Sequence, residues 1–183
     1  SISRFLNIRA AFGPRFASDG QRIAFVSDIV GVEQAWQVQP DFETEKIGWP
    51  EQLTFSENRV MQVRFSPRPG DGRLIYAQDV GGDENAQLFL LSDTGADDLC
   101  LTAGHEGAMH TFGDWSADGD SFLFSANRRD PGLFDVYLQE IGGPARMIWQ
   151  NDEPGSLIQL IFSPDGRRVA INRMISSFDN RLL

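Results

Sequence analysis

The stretch Phe162-Ser-Pro-Asp-Gly-Arg-Arg-Val-Ala-Ile171 decides the fold, because variants of it occur three more times along the chain. Close copies begin at Phe16 and Trp115, and a copy with a three-residue insertion begins at Phe65. The glycines that follow the aspartates stand at positions 20, 72, 119 and 166, at spacings of 52, 47 and 47 residues. A fixed period of about 40 to 50 residues is typical of β-propellers and related repeat arrays.

Each copy has the composition of a β-hairpin, with an apolar strand, a Ser/Pro/Asp/Gly turn and a second apolar strand. The aspartate can bond its own backbone and the glycine accepts a positive φ. Innermost strands are predicted near residues 12–16, 60–65, 109–115 and 157–162, and second strands near 22–27, 73–77, 121–126 and 168–173. Third strands are predicted near 34–38, 86–91 and 133–138, and fourth strands near 52–55, 98–102 and 145–149.

The predicted strands are apolar on both faces, as in Leu88-Phe-Leu-Leu91, so both faces must be covered. Stacked blades do this better than a two-sheet sandwich, which is the second interpretation. The sequence therefore predicts an all-β fold, a partial β-propeller of about three and a half four-stranded antiparallel blades. The predicted blades cover residues 11–56, 57–103, 104–150 and 151–183.

The two ends of the chain carry weaker signals. Residues 1–10 are compatible with one helical turn or an extended lead-in. The fourth repeat stops at Leu183, where its third strand would begin, which predicts part of a larger ring. Trimming residues 176–183 is therefore expected to make little difference.

The net charge of −10 in 183 residues, from 16 basic and 26 acidic side chains, argues against a nucleic-acid partner. No apolar run is long enough to span a bilayer, so no membrane association is expected. Cys100 is the one cysteine; it cannot form an intrachain disulfide and is expected to be a buried packing residue. A cytoplasmic location is expected.

Several segments together resemble the prolyl oligopeptidase family of serine peptidases, particularly its acylaminoacyl-peptidase-like branch. These segments are Phe5–Arg9, Ser27–Gly31 with Gln34–Trp36, Trp49–Thr54, Gly81–Asn85, Asn127–Asp130 with Phe134–Tyr137, and Ser176–Asp179. The resemblance implies a propeller that covers the active site of a C-terminal α/β-hydrolase domain and admits short peptide substrates. The chain would then be the first half of that propeller, without catalytic residues of its own.

The chemistry-bearing motifs fit this interpretation. No Gly-x-Ser-x-Gly elbow is present, since Ser121 is followed by Leu123 where that motif has glycine. His105 and His110 are five residues apart, one more than in a zincin helix, and are interpreted as a loop leading into a strand. Gly81-Gly82 lacks the rest of a phosphate loop, and Asp114, Asp118 and Asp120 do not have calcium-loop spacing. No metal or cofactor is expected.

The loops between second and third strands, at 28–33, 79–86, 127–132 and 174–179, are expected on one propeller face. Charged side chains there are the candidates for substrate access, with acidic groups binding a peptide amine and arginines a carboxylate. The candidates are Asp83, Glu84, Arg128, Arg129, Asp130 and Asp179. Solvated loop charges with local hydrogen bonds are the alternative interpretation.

Two further expectations concern partners. The competing function is a non-enzymatic, protein-binding propeller of the TolB type, which also uses repeats resembling Phe-Ser-Pro-Asp-Gly. A WD-repeat scaffold is disfavoured, because no repeat ends its third strand with Trp-Asp. Exposed blade faces at the first and fourth repeats predict self-association into a homodimer or larger assembly.

Overall fold

Four antiparallel sheets that follow one another along the chain dominate the computed structural model, which describes residues 9–41, 43–44, 46–95 and 97–183. The expected lead-in lies mostly outside these residues. The first sheet has β1 (Ala11–Phe16), β2 (Ile23–Ser27), β3 (Gln34–Val38) and β6 (Glu51–Gln52), and a separate pair is formed by β4 (Pro40–Asp41) and β5 (Lys46–Ile47). The second has β7 (Val60–Phe65), β8 (Leu74–Gln78), β9 (Gln87–Leu91) and β10 (Asp98–Cys100).

The third sheet has β11 (His110–Trp115), β12 (Ser121–Asp130), β13 (Leu133–Glu140) and β14 (Ala145–Trp149). The fourth has three strands, β15 (Ser156–Phe162), β16 (Val169–Ser176) and β17 (Asp179–Leu182). The sheets are the blades of a β-propeller, which confirms the predicted fold class. Within the described residues, no helix has the length and apolar character needed to cross a bilayer.

Four details differ from the sequence-based expectations. β12 continues to Asp130, so Arg128, Arg129 and Asp130 lie in a strand and not in a loop. A third strand does form in the fourth blade, and Asp179 is its first residue. The backbone of Leu183 exchanges two hydrogen bonds with Ile171, which argues against the expectation that trimming the tail makes little difference. Cys100 is half-buried rather than buried.

The Asp-Gly turns join innermost to second strands as their sequence predicts. In three of them the carboxylate of Asp19, Asp118 or Asp165 accepts a hydrogen bond from the backbone N–H two residues later, at 2.8 to 3.1 Å. The glycine that follows has a φ of 67° to 70°. This geometry suits glycine because a Cβ is disfavoured at positive φ. These local interactions favour the turn in each hairpin.

Three apolar layers lie between successive sheets. The second strand of each inner sheet serves two layers, because neighbouring residues point to opposite faces. In β8, Leu74 and Tyr76 pack toward the first sheet, and Ile75 packs toward the third. In β12, Phe122 packs toward the second sheet and Leu123 toward the fourth. This arrangement explains why these strands are apolar on both faces.

Each innermost strand contains one residue more than the stretch of second strand that it faces. The extra residues lie between Phe12 and Arg15, Val60 and Gln62, Phe112 and Trp115, and Leu157 and Gln159. Such a β-bulge reverses the in-out alternation of the side chains that follow it. Polar side chains in the second half of these strands are thereby directed away from the apolar layers.

Gly113, within one of these bulges, allows the third and fourth sheets to approach closely. A Cβ at this position would lie 2.6 Å from the Cβ of Leu160 and 3.2 Å from the carbonyl oxygen of Leu123. Since one contact is to backbone and the other to the base of a buried side chain, neither can move away easily. The absence of a side chain at position 113 is required by packing.

We expect Gly113→Ala to lower the free energy of unfolding by about 1 to 3 kcal/mol, the usual cost of overpacking a core. Gly107→Ala is the matched control, because a Cβ there meets nothing within 4 Å. Urea unfolding followed by circular dichroism measures both variants. A Gly113→Ala protein as stable as the Gly107→Ala protein would contradict the packing argument.

Candidate functional site

One face of the propeller collects several buried polar side chains. The first residues of the innermost strands, the last residues of the second strands and the first residues of the third strands lie there in register, as in Val60, Gln78 and Gln87. The connections between successive blades also reach this edge. We call it the loop face.

In each of the first three blades, a buried polar residue near the start of the third strand stabilises the loop face through hydrogen bonds. The side-chain amide of Gln34 donates to the carbonyls of Ser56 and Asn58, both at 3.0 Å. The amide of Gln87 donates to the carbonyl of Ala108 at 3.0 Å. Asp135 Oδ1 accepts from the backbone N–H of Asn151 at 2.9 Å. Each bond fixes the connection that leads into the next blade.

Two carboxylates that are fully buried on this face are held by arginines. Asp79 accepts from Arg59 Nε at 3.0 Å. Asp135 accepts from Nε and Nη2 of Arg129, both at 3.1 Å, and the same guanidinium donates to the carbonyl of Asn151 at 2.7 Å. A buried carboxylate requires such a partner, because leaving it unpaired costs several kcal/mol. Arg129, a predicted substrate-access residue, is therefore engaged in maintaining the fold.

The predicted acidic residues differ in whether their carboxylates accept hydrogen bonds from the backbone. Asp83 accepts from the backbone N–H of Asn85 at 3.0 Å and so closes its own loop, and Asp130 accepts from that of Gly132 at 2.8 Å. Glu84 is exposed and has a φ of 64°, which side-chain-bearing residues seldom adopt. Asp179 is exposed at the beginning of β17.

Arg128 is held without any carboxylate partner among the described residues. Its guanidinium carbon lies 5.0 Å from the ring centre of Phe124 and 4.9 Å from that of Tyr137, within cation–π range. Its Nε donates to Nε2 of His110 at 3.0 Å. In the part of the chain that the structure describes, its two terminal nitrogens have no hydrogen-bond partner. The guanidinium is thus oriented, half-buried and able to bind an anion.

His110 orients Arg128 and is itself buried, with 1% of its surface exposed. Because Nε2 accepts from Arg128, Nδ1 carries the proton and donates to the carbonyl of Ala86 at 3.0 Å. Burial first, and then the positive charge of Arg128, lower the pKa of His110 to about 4. The carbonyl of Ala86 belongs to the end of the loop that holds Asp83 and Glu84, so two hydrogen bonds link that loop to Arg128.

Sequence analysis placed His105 and His110 in one loop and assigned neither a role. His105 does lie in a turn, whereas His110 is the first residue of β11. His110 pairs with Ala126 across the sheet, and Arg128 lies two residues further along β12. An arginine at this distance from the strand partner of a histidine is the sequence signal for their contact. Among the described residues, no group of three or more His, Cys, Asp or Glu is arranged to hold a metal ion.

The neutral state of His110 makes stability depend on pH. A histidine with a folded-state pKa of about 4 and an unfolded value of about 6.5 binds fewer protons when folded between these values. Its contribution is therefore fully present above pH 6.5 and is lost as the pH falls toward 4, with a total on the order of 3 kcal/mol. We expect His110→Gln to flatten the stability profile between pH 6.5 and 5.

Urea unfolding at several pH values gives the stability profile, and NMR titration gives the pKa of each of the two histidine rings. His105→Gln is the control, because His105 is exposed. Its pKa is lowered first by partial burial and then by the positive charge of Arg128. An observed pKa of 6.5 or higher for His110 would show that the ring is not held neutral in the folded chain.

Comparison with known proteins supports the resemblance seen in the sequence. No family model matches the chain. It is 34% identical over 116 residues to the uncharacterized peptidase YuxL of Bacillus subtilis (strain 168), a match that covers 62% of this chain and 17% of the relative. The chain thus spans less than a fifth of the curated relative that it matches.

Solved structures share the fold at low sequence identity. TolB from Acinetobacter baumannii superimposes with a TM-score of 0.69 and 19% identity, covering 94% of this chain and 40% of TolB. An acylaminoacyl peptidase in complex with Z-Gly-Gly-Phe-chloromethyl ketone gives a TM-score of 0.56 and 17% identity, covering 94% of this chain and 30% of that peptidase. The chain is a β-propeller that resembles the propeller domains of prolyl oligopeptidase-family enzymes and also TolB.

Proposed function

We propose that this chain is the non-catalytic, substrate-gating propeller portion of a serine peptidase that cleaves short peptides. The observation that carries the proposal is the 34% identity to a peptidase over 116 residues, well above the identity to the solved propellers. The partner domain would be a C-terminal α/β-hydrolase that supplies the catalytic residues. The similar acylaminoacyl peptidase is described in complex with a short peptide derivative, which supports peptides as the substrate class.

The loop face has groups suited to both ends of a short peptide. Arg128 offers terminal nitrogens that match the two oxygens of a carboxylate. Asp83 and Glu84 carry negative charge on the loop that His110 and Ala86 connect to Arg128. We assign the α-carboxylate of the peptide to Arg128 and its amino group to the acidic pair. Arg129, Asp130 and Asp179 have lesser roles in this proposal, because the first two are engaged in local hydrogen bonds.

The proposal is tested in the full-length gene product with two variants and chemically matched peptides. Arg128→Gln is expected to lower kcat/KM about tenfold for a tripeptide with a free carboxylate and little for its C-terminal amide, because only the former makes a charge-assisted bond. The double variant Asp83→Ala/Glu84→Ala is expected to lower kcat/KM for peptides with a free amino group and to have little effect on their acetylated counterparts. Arg146→Gln, which alters an exposed arginine on β14, is the control.

Equal effects on all peptides would refute these binding roles. Loss of discrimination between short and long peptides in the variants would still support gating. A full-length protein that hydrolyses no peptide and does not react with a serine-directed fluorophosphonate would refute the peptidase assignment.

The alternative function is a TolB-type module that binds another protein without catalysis. The chain superimposes on TolB with a TM-score of 0.69, so its fold is compatible with this function. Fold likeness at 19% identity does not distinguish the two functions, because one fold carries many functions. The fluorophosphonate experiment distinguishes them, since a binding module has no reactive serine.

Self-association remains a prediction. The first sheet exposes Phe16 to 62%, and the fourth exposes Leu182 to 78%. Burying such apolar surface against a second copy is favourable. We expect light scattering to show that this 183-residue chain is a dimer or larger species, and we expect Phe16→Asp or Leu182→Asp to shift it toward monomer. A monodisperse wild-type monomer would contradict the expectation.

A further inference from the structure

A cavity of about 370 Å³ lies where the innermost strands of the four sheets face one another. Its volume is within the range of small-molecule sites. Nearly all of its lining comes from β1, β7, β11 and β15, and we call it the axial cavity. Polar lining residues include Gln62, Thr111 and Gln159, and Ile158 and Ile161 supply an apolar side. Asp83, Glu84 and Arg128, which bind the peptide in the proposed function, are not among its lining residues.

Two arginines from neighbouring blades, Arg15 of β1 and Arg64 of β7, line this cavity. Nη1 of Arg15 donates to the carbonyl of Pro14 at 3.0 Å, and Nη1 of Arg64 donates to that of Val63 at 2.8 Å. Within the described residues, these are the hydrogen bonds of the two guanidinium groups, so Nε and Nη2 of each are available. Each guanidinium is thus held by the carbonyl of the preceding residue, and its Nε and Nη2 can still donate hydrogen bonds to a ligand.

The position of both arginines follows from the extra residues in the innermost strands. The bulge between Phe12 and Arg15 and the bulge between Val60 and Gln62 set which side chains face the cavity. Val63 and Phe65 are buried in the first apolar layer, so Arg64 between them points to the opposite side. Trp115 Nε1 donates to the carbonyl of Arg64 at 3.3 Å and fixes this part of β7 against the third blade.

The charge in the cavity is not neutralised by the protein. Among the described residues, no carboxylate lies within 4.0 Å of either guanidinium. Asp114 also lines the cavity, but its Oδ2 accepts a hydrogen bond from the backbone N–H of Phe162 at 3.0 Å. Burial, followed by the positive charge of Arg15, lowers the pKa of Arg64. Two like charges are thus brought together in a chain whose net charge is −10.

We propose that the axial cavity binds a small ligand through an oxyanion, a carboxylate or a phosphate, held between Arg15 and Arg64. Guanidinium groups bind both oxyanions with paired, charge-assisted hydrogen bonds. Gln62 and Thr111 supply further donors beside the arginines, and Ile158 and Ile161 contact the rest of the ligand. The inference rests on the geometry of the innermost strands and does not depend on the peptidase assignment.

Isothermal titration calorimetry of the 183-residue chain tests the proposal with three probes. These are inorganic phosphate, trialanine with a free carboxylate, and trialanine amide. We expect saturable binding of phosphate, of trialanine or of both that depends on Arg15 and Arg64, and no binding of the amide that depends on these arginines; which of the two binds in this way identifies the oxyanion. The affinity should be lower at high salt than at low salt, because dissolved ions partly screen the attraction between the arginines and the oxyanion.

Arg15→Gln and Arg64→Gln are each expected to weaken binding at least about tenfold, the effect of losing a hydrogen bond to a charged group. Arg15 is exposed, so its variant retains the fold, which circular dichroism verifies. Arg146→Gln removes the same charge from an exposed outer strand and should leave binding unchanged. No saturable binding of phosphate or trialanine, or equal affinity in the Arg15→Gln and Arg146→Gln proteins, would overturn the proposal.

Discussion

The structure depends on covering both faces of the inner sheets with apolar surface from their neighbours. A strand such as β8 has to supply apolar side chains to two layers, and it does so at successive positions, with Ile75 on one face and Leu74 and Tyr76 on the other. A two-sheet sandwich needs apolar residues on one face only, so this composition separates the two architectures. The requirement leaves little freedom in the middle strands and confines chemistry to strand ends and to the innermost strands.

The loop face shows what happens where the apolar layers end. Backbone groups of the connections between blades need hydrogen-bond partners once they leave the sheets, and buried side chains such as Gln34 and Gln87 supply them. Where a carboxylate has this role, as Asp135 does, an arginine pairs with it. The paired charged groups on this face therefore have a structural role first, and the groups outside these pairings are the ones available to a ligand.

The sequence was sufficient for the repeat, the turns and the strand positions, because these depend on local composition. It placed Arg128 and Asp130 in a loop, because the length of the β12–β13 hairpin is set by pairing that extends to Asp130 and Leu133. The extra residues of the innermost strands were also missed. They leave a signal, since buried residues such as Val60 and Val63 are then three apart, but this spacing indicates a bulge only once the strand itself is known.

Two groups of arginines in this acidic chain differ in the way in which they are held. Arg59, Arg73 and Arg129 pair with carboxylates, and their positions are explained by the stability of the fold. Arg64 and Arg128 are half-buried without such a partner among the described residues, and burial lowers the pKa of both. Withdrawing a guanidinium from water without such a partner is unfavourable, and an anionic ligand that completes its hydrogen bonds offsets this cost.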